Sequence, residues 1–295
     1  PLRLVGSEMC IRDRNVEQRG GALEQLKKLI MTISILLVMI ISSSVNAANL
    51  TDEEYARLRN LFSDARISYM SDEEAARYLS YDLEHVNKVS KYYKVTETTN
   101  GTITTEVSKE EAIAAAENNI STRATYHTTS YKNIRISTMK LSTNVYYVNL
   151  TNEWLITPRV KSYDVIAMRV DDATVNSGSQ RGTQFYIANG VSDTVEYSYN
   201  GTNMVLSSNG FGISMNLVDA ANSFTCDINA TVTATSQWAT VYGSYQHAMT
   251  AVTLAKSKSY TISHNGYGKV INFATAVQND YDNMQGVSIE LGYTA

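Results

Sequence analysis

The stretch that decides the fold is "FTCDINATVTAT", Phe224–Thr235. Phe224, Cys226, Ile228, Ala230, Val232 and Ala234 fall on one side of an extended chain. Thr225, Asp227, Asn229, Thr231, Thr233 and Thr235 fall on the other. Successive side chains of a strand point to opposite faces, so this segment reads as a strand with one buried and one wet face. "FGISMNLV" repeats the pattern, with Phe211, Ile213, Met215 and Leu217 inward. Working outward, strands are expected at 133–141, 145–155, 162–170, 184–188, 194–199, 238–246, 259–263, 269–273 and 287–293. Turn signals separate them at Ser142-Thr-Asn144, Asn200-Gly201, Asn209-Gly210 and Asn265-Gly266. About eleven short strands with hairpin turns imply an antiparallel β-sandwich or jelly-roll-like domain over 125–295.

Before that domain the period is that of a helix. One signature recurs, as Thr51-Asp-Glu-Glu54, Ser71-Asp-Glu-Glu74 and Ser108-Lys-Glu-Glu111. A hydroxyl residue at the N-cap accepts from an orphan backbone N–H, a Glu three residues on reaches back, and acids suit the first turn of a helix. The first helix is expected to carry Tyr55, Leu58, Phe62 and Ala65 on one face. The second carries Ala75, Leu79, Val86, Val89 and Tyr93, and the third Ala112, Ile113 and Ala116. Between the last two, "KYYKVTETTNGTITTEV" reads as a β-hairpin around Asn100-Gly101. Residues 48–124 are therefore expected to form a small α-helical lobe containing a hairpin. No Pro- or Gly-rich linker separates it from the β domain.

The chain's address lies at Lys27–Ala47, "KKLIMTISILLVMIISSSVNA". Its apolar run, Leu29–Ile41, is shorter than the roughly 20 residues a membrane-spanning helix needs. Two lysines precede it, and Val45-Asn46-Ala47 offers a small-x-small cleavage site. Residues 26–47 thus read as a secretory signal peptide, which predicts a secreted protein, possible to retain at the cell envelope, with no permanent membrane anchor after cleavage. Residues 1–25 read as a non-native extension. Within them "VGSEMCIRDR", Val5–Arg14, resembles translated sequencing-adapter read-through.

Removing the first 47 residues, with six basic and four acidic side chains, leaves 19 basic and 25 acidic, a net charge of −6. Nucleic acid and anionic membrane surfaces need a basic field, so neither is an expected partner. One thiol remains, Cys226, which excludes an internal disulfide. No Lys or Arg occurs between Arg181 and Lys256. Such a charge-poor sheet face suits contact with a neutral surface, a cell-wall or host glycan or a protein neighbour.

No catalytic constellation emerges. His85, His127, His247 and His264 have no metal-ligand spacing. Cys226 faces inward among residues that carry no cation, which is no setting for a reactive thiolate. No G-x-S-x-G elbow exists, and the glycines of "NGFG" and "NGYG" are turn glycines. Asp280, Asp282 and Asn283 in "DYDN" are weak candidates for a Ca²⁺ site, being oxygen ligands on one loop. Tyrosines and the tryptophans Trp154 and Trp238 supply candidate stacking platforms for sugars.

The β region, through "GSYQHAMTAVTLAKSKSYTISHNGYGKVINF" and "YDNMQGVSIEL", resembles uncharacterised secreted proteins of Gram-positive gut bacteria over residues 126–295. No activity or site residue comes with that resemblance. The expected function is a secreted or envelope-associated, non-enzymatic binding or adhesion protein. The rival is a secreted glycan-active hydrolase, whose paired carboxylates sequence spacing cannot pick out. A third reading takes Phe224–Gln246 as the membrane-inserting hairpin of a pore former, since a strand of about 9–11 residues with one apolar face spans a bilayer.

Overall fold

The computed structural model describes residues 48–98, 101–118, 128–263 and 268–292. The expected signal peptide, the N-terminal extension, His127, His264 and the Asn265-Gly266 turn lie outside them. In chain order the elements are α1 (Asp52–Leu58), α2 (Asp64–Ile67), α3 (Asp72–Leu79), β1 (Asn87–Thr98), β2 (Gly101–Val107), α4 (Lys109–Glu117), β3 (Thr128–Lys140), β4 (Val145–Ile156), β5 (Tyr163–Asp171) and β6 (Ala173–Val175). They continue with β7 (Arg181–Ala188), β8 (Val191–Tyr197), β9 (Met204–Ser207), β10 (Gly210–Asn216), β11 (Ala221–Ala234), β12 (Thr240–Gln246), α5 (Leu254–Ser257), β13 (Tyr260–Ile262), β14 (Ile271–Phe273) and β15 (Val287–Glu290). The structure is mainly antiparallel β with few helices.

Two sheets share one core. The larger runs β2-β1-β3-β4-β11-β7-β8, with β6 beside β11, and the smaller runs β15-β12-β5-β10-β9. The inward residues of β11 are all buried, as its alternation requires, and they meet Ile166, Met168, Phe211, Ile213 and Val241 of the other sheet. Each fully buried Ile, Val or Phe among them contributes about 1.5–3 kcal/mol. The sheets approach closely where β12 faces β4. A Cβ on Gly243 would lie 2.5 Å from the Leu150 side chain.

The second face of β11 is not wet throughout. Thr225 and Asp227 are buried, because the outer face of the large sheet is itself covered. Leu58, Leu61, Phe62, Ile67, Met70 and Leu83 of the α1–α3 region pack on Met139 of β3 and Tyr147 of β4. Aromatic contacts tie this layer down, with Phe62 to Tyr78 at 4.6 Å and Tyr78 to Tyr147 at 5.4 Å between ring centroids. α4 covers Tyr131 through Ala112 and Ala115, while Ile113 is exposed. The outer face of β5 is covered by the chain from Val252 to Tyr281, which packs on Val165 and Ala167.

All three expected N-caps are in place. The Thr51 hydroxyl accepts from Glu54 N–H while Glu54 receives the Thr51 N–H, a complete capping box. Ser71 and Ser108 accept from Glu74 and Glu111. A fourth cap, Ser63 on Arg66, starts the short α2. The helices are shorter than the apolar spacing implied. α3 stops at Leu79, and Val89 and Tyr93 lie on β1. There the residues alternate, and β-branched and aromatic side chains favour the pleated surface.

β1 also changes the division of the chain. It pairs with β3 from Asn87↔Thr138 to Glu97↔Thr128, so the hairpin placed in a helical lobe is the end of the large sheet. The helices and the sheets belong to one compact unit, Ala47–Ala295.

The expected Phe224–Gln246 hairpin does not exist. β11 pairs with β4, β6 and β7, while β12 pairs with β5 and β15. The chain changes sheets at 235–239, and each strand satisfies its backbone groups with other partners. Among the described residues the expected turns lie at or within one residue of their sites: 142–144 joins β3 to β4, Asn200 has φ +59° between β8 and β9, and Ser208-Asn209 joins β9 to β10. β9 and β10 pair from Ser207↔Gly210, and the turn with positive φ at both central residues is Asn189-Gly190 between β7 and β8.

Candidate functional site

Four inward strand positions bring polar groups into the core. On β3 the inward parity runs Lys132, Ile134, Ile136. On β5 it runs Asp164, Ile166, Met168. On β12 it runs Val241, Gly243, Tyr245 and then His247, and β4 adds Trp154. Lys132, Asp164, Tyr245 and His247 are fully buried. Buried charges persist only where they are paired and hydrogen-bonded, and here they are.

Asp164 is the hub of one half. It accepts from the Tyr245 hydroxyl, the Ala248 N–H at 2.9 Å and His247 Nδ1 at 2.9 Å. The Tyr245 oxygen in turn accepts from Trp154 Nε1 at 3.1 Å. The His247 ring stands edge-on to Trp154, 4.9 Å between centroids, and its Nε2 has no hydrogen-bond partner.

Asp282 is the hub of the other half. Its Oδ2 contacts Lys132 Nζ, both side chains fully enclosed, and its Oδ1 accepts the His247 backbone N–H at 2.9 Å. Lys132 Nζ lies 5.1 Å from the ring centroids of Trp154 and Tyr245, a cation held against two aromatic faces.

Beside this cluster opens a cavity of about 920 Å³. The ends of β1 and β2 line it with Glu97, Thr98 and Thr102, the last residue of β12 adds Gln246, and the segment after it adds Thr250. β14 supplies Asn272 and Phe273, and the C-terminal loops supply Lys269, Asn279, Tyr281, Asp282 and Asn283. Phe273 and Tyr281 stack at 3.9 Å and 13°. The Glu97 carboxyl is pushed up by burial, against the pull of His247 and Arg159, and its Oε1 has no hydrogen-bond partner. Burial lowers the Lys269 ammonium, opposed by Asp282.

The candidate Ca²⁺ loop is spoken for by cations of the chain itself. Asp282 meets Lys132, Asp280 accepts from Thr250 at 3.2 Å with Lys256 3.7 Å away, and Asn283 accepts from Lys269 at 3.0 Å. The three side chains point to three different partners, and among the described residues no cluster of His, Cys, Asp and Glu has the form of a metal site. His85 is exposed against Asp82 at 2.5 Å, which lowers the Asp82 carboxyl. Burial raises the Cys226 thiol well above its usual range, the opposite of an activated nucleophile. Trp238 is exposed, and Trp154 is buried in the cluster.

Of the residues singled out in the sequence, Asp282 and Asn283 come together at the cavity, and Trp154 and His247 meet in the buried cluster. Lys132, Asp164 and Glu97 were missed. Their signal was parity, since Lys132 and Asp164 occupy the same side of their strands as the isoleucines that follow.

No helix among the described residues is long and apolar enough to cross a membrane. No family model matches the chain, and no curated protein is similar to it. Solved structures overlap parts of it. A pilus backbone from Streptococcus pneumoniae is 13% identical over 36% of this chain and 25% of its own, with a TM-score of 0.24. The chain thus spans a quarter of that protein's length. A collagen-binding domain from a Staphylococcus aureus adhesin is 10% identical over 35% of this chain and 77% of its own, with a TM-score of 0.20. The enzymatically active domain of a bacteriophage CBA120 tailspike protein is 10% identical over 56% of this chain and 20% of its own, with a TM-score of 0.21. No site residue is carried over from overlaps of this size.

Proposed function

We propose that this β-sandwich chain is a secreted or envelope-associated binding or adhesion protein that holds a neutral, polar ligand, a cell-wall or host glycan, in the cavity beside Glu97. The observation that carries the reading is the lining itself. Amide and hydroxyl groups of Thr98, Thr102, Gln246, Asn272, Asn279 and Asn283 surround a stacked Phe273–Tyr281 pair. Amides and hydroxyls match sugar hydroxyls, and an aromatic face packs on the apolar side of a sugar ring. The Asp164–His247 pair, which resembles the orienting half of a catalytic relay, is sealed in the core and does not meet a ligand.

Glycan arrays and cell-wall pull-downs test this. Phe273→Ala and Asn272→Ala are expected to abolish the binding seen with the wild type while the chain stays folded. Binding unchanged in both variants would move the ligand off this cavity. The second reading, a glycan-active hydrolase, is favoured by the one raised carboxyl in the cavity, Glu97. It predicts release of shortened glycans by the wild type and none by Glu97→Gln. Binding without product supports the first reading.

A further inference from the structure

The contact between Lys132 and Asp282 is built for more than charge pairing. Both side chains are fully buried, and Asp282 Oδ2 touches Lys132 Nζ directly. The two residues lie 150 positions apart in the chain, on β3 and on the loop that leads into β15. Trp154 and Tyr245 wall the amine in from two sides. The other carboxylate oxygen, Oδ1, receives the His247 backbone N–H at 2.9 Å.

We propose that Lys132 and Asp282 become joined by an amide bond between Lys132 Nζ and Asp282 Cγ, formed within the folded chain with loss of one water. Enclosure sets the chemistry. Two opposite charges held in a low-dielectric core are both removed when the proton passes from Nζ to Oδ2 along their contact. The neutral amine then carries a lone pair next to the carbon of a neutral acid. Attack forms the N–C bond, and the negative charge gathers on Oδ1, where the His247 N–H already points. A fixed backbone donor at the developing oxyanion is the arrangement that stabilises acyl-transfer intermediates. The nitrogen passes one proton to the Oδ2 hydroxyl, the C–Oδ2 bond breaks, and water leaves. Ammonium and carboxylate give amide and water, so no oxidant, activator or further reactant enters. The segment that carries Asp282 borders the cavity, into which the departing water passes. Holding the two groups in contact replaces a bimolecular encounter with a positioned one.

Mass spectrometry of the purified full chain, denatured, and peptide mapping after trypsin decide the matter. The wild type is expected to yield a branched peptide joining the Lys132 segment to the Asp282 segment, lighter than their sum by one water. Separate, unmodified peptides carrying Lys132 and Asp282 would overturn the proposal. Lys132→Arg keeps a cation at the site but no acylable amine of this kind, and is expected to give the linear peptides. Asp282→Asn offers an amide in place of the acid, so its bond forms with loss of ammonia instead of water. A loss of water that persists in Lys132→Arg or Asp282→Asn places the link elsewhere and overturns the assignment.

Discussion

Asp227 shows how one residue's setting becomes a property of the whole chain. It lies on the second face of β11, where the sequence pattern expects solvent, and it is buried. Burial pushes its carboxyl from 3.8 up to about 6, against the pull of Thr151, Arg66 and Arg135. Well below pH 3.8 the folded and unfolded chains both hold this proton. Between 3.8 and about 6 the unfolded chain releases it first, so stability falls as pH rises through that window and is level above it. The ionised form costs about 3 kcal/mol at neutral pH. Asp227→Asn is therefore expected to be more stable than the wild type at pH 7 and to approach it as pH falls below 3.8. Denaturant midpoints across that range measure it, and a parallel offset at both pH values would sink the argument. Such residues are poorly legible in a sequence. An Asp in a Thr-rich face looks solvated until a second layer covers it, and Lys132 looks like a surface lysine until its parity with Ile134 and Ile136 is noticed.

At the scale of elements, what was legible is what is local. A helix start is written within four residues, and each of the three Ser or Thr caps read that way is present. Ser71→Ala removes the acceptor for Glu74 N–H and is expected to cost about 1 kcal/mol in a thermal or denaturant melt. The β7–β8 turn offers a sharper test. Gly190 has φ +78° with nothing near its missing Cβ, so Gly190→Ala meets only backbone strain, about 1 kcal/mol. Gly190→Asn, which tolerates that conformation, is expected to recover most of the loss. Strand alternation was likewise legible, and most expected strands appear within a few residues of their bounds. The partners were not. β11 and β12 are adjacent in sequence and lie in different sheets, because pairing depends on which distant strand matches in register and burial. β6 and β9, three and four residues long, were not among the expected strands.

Across the whole molecule, two sheets share a core and each outer face carries its own cover. That layering explains why β4 is buried at every position from Tyr146 to Asn152. It also bears on the pore reading. Strands already committed to separate sheets have no hairpin to insert, so the full chain is expected to release no dye from liposomes at any pH or concentration. Leakage would revive that reading. The Lys132–Asp282 contact has a consequence of a different kind, in mechanics. It fastens β3 to the loop before β15, across the greater part of the described chain. With the bond formed, tension applied to the two ends enters at Lys132, crosses to Asp282 150 positions on and leaves, and the chain between them carries no load. Stretched singly, the wild type should lengthen only by the chain outside that span, whereas Lys132→Arg should pay out its full contour. The same closure limits the unfolded chain's freedom, worth about 5 kcal/mol by the entropy argument for a cross-link of this size. A protein held at a surface by one end and pulled by whatever it grips would thus bear shear through a single side-chain joint, as a seat belt bears it through the buckle.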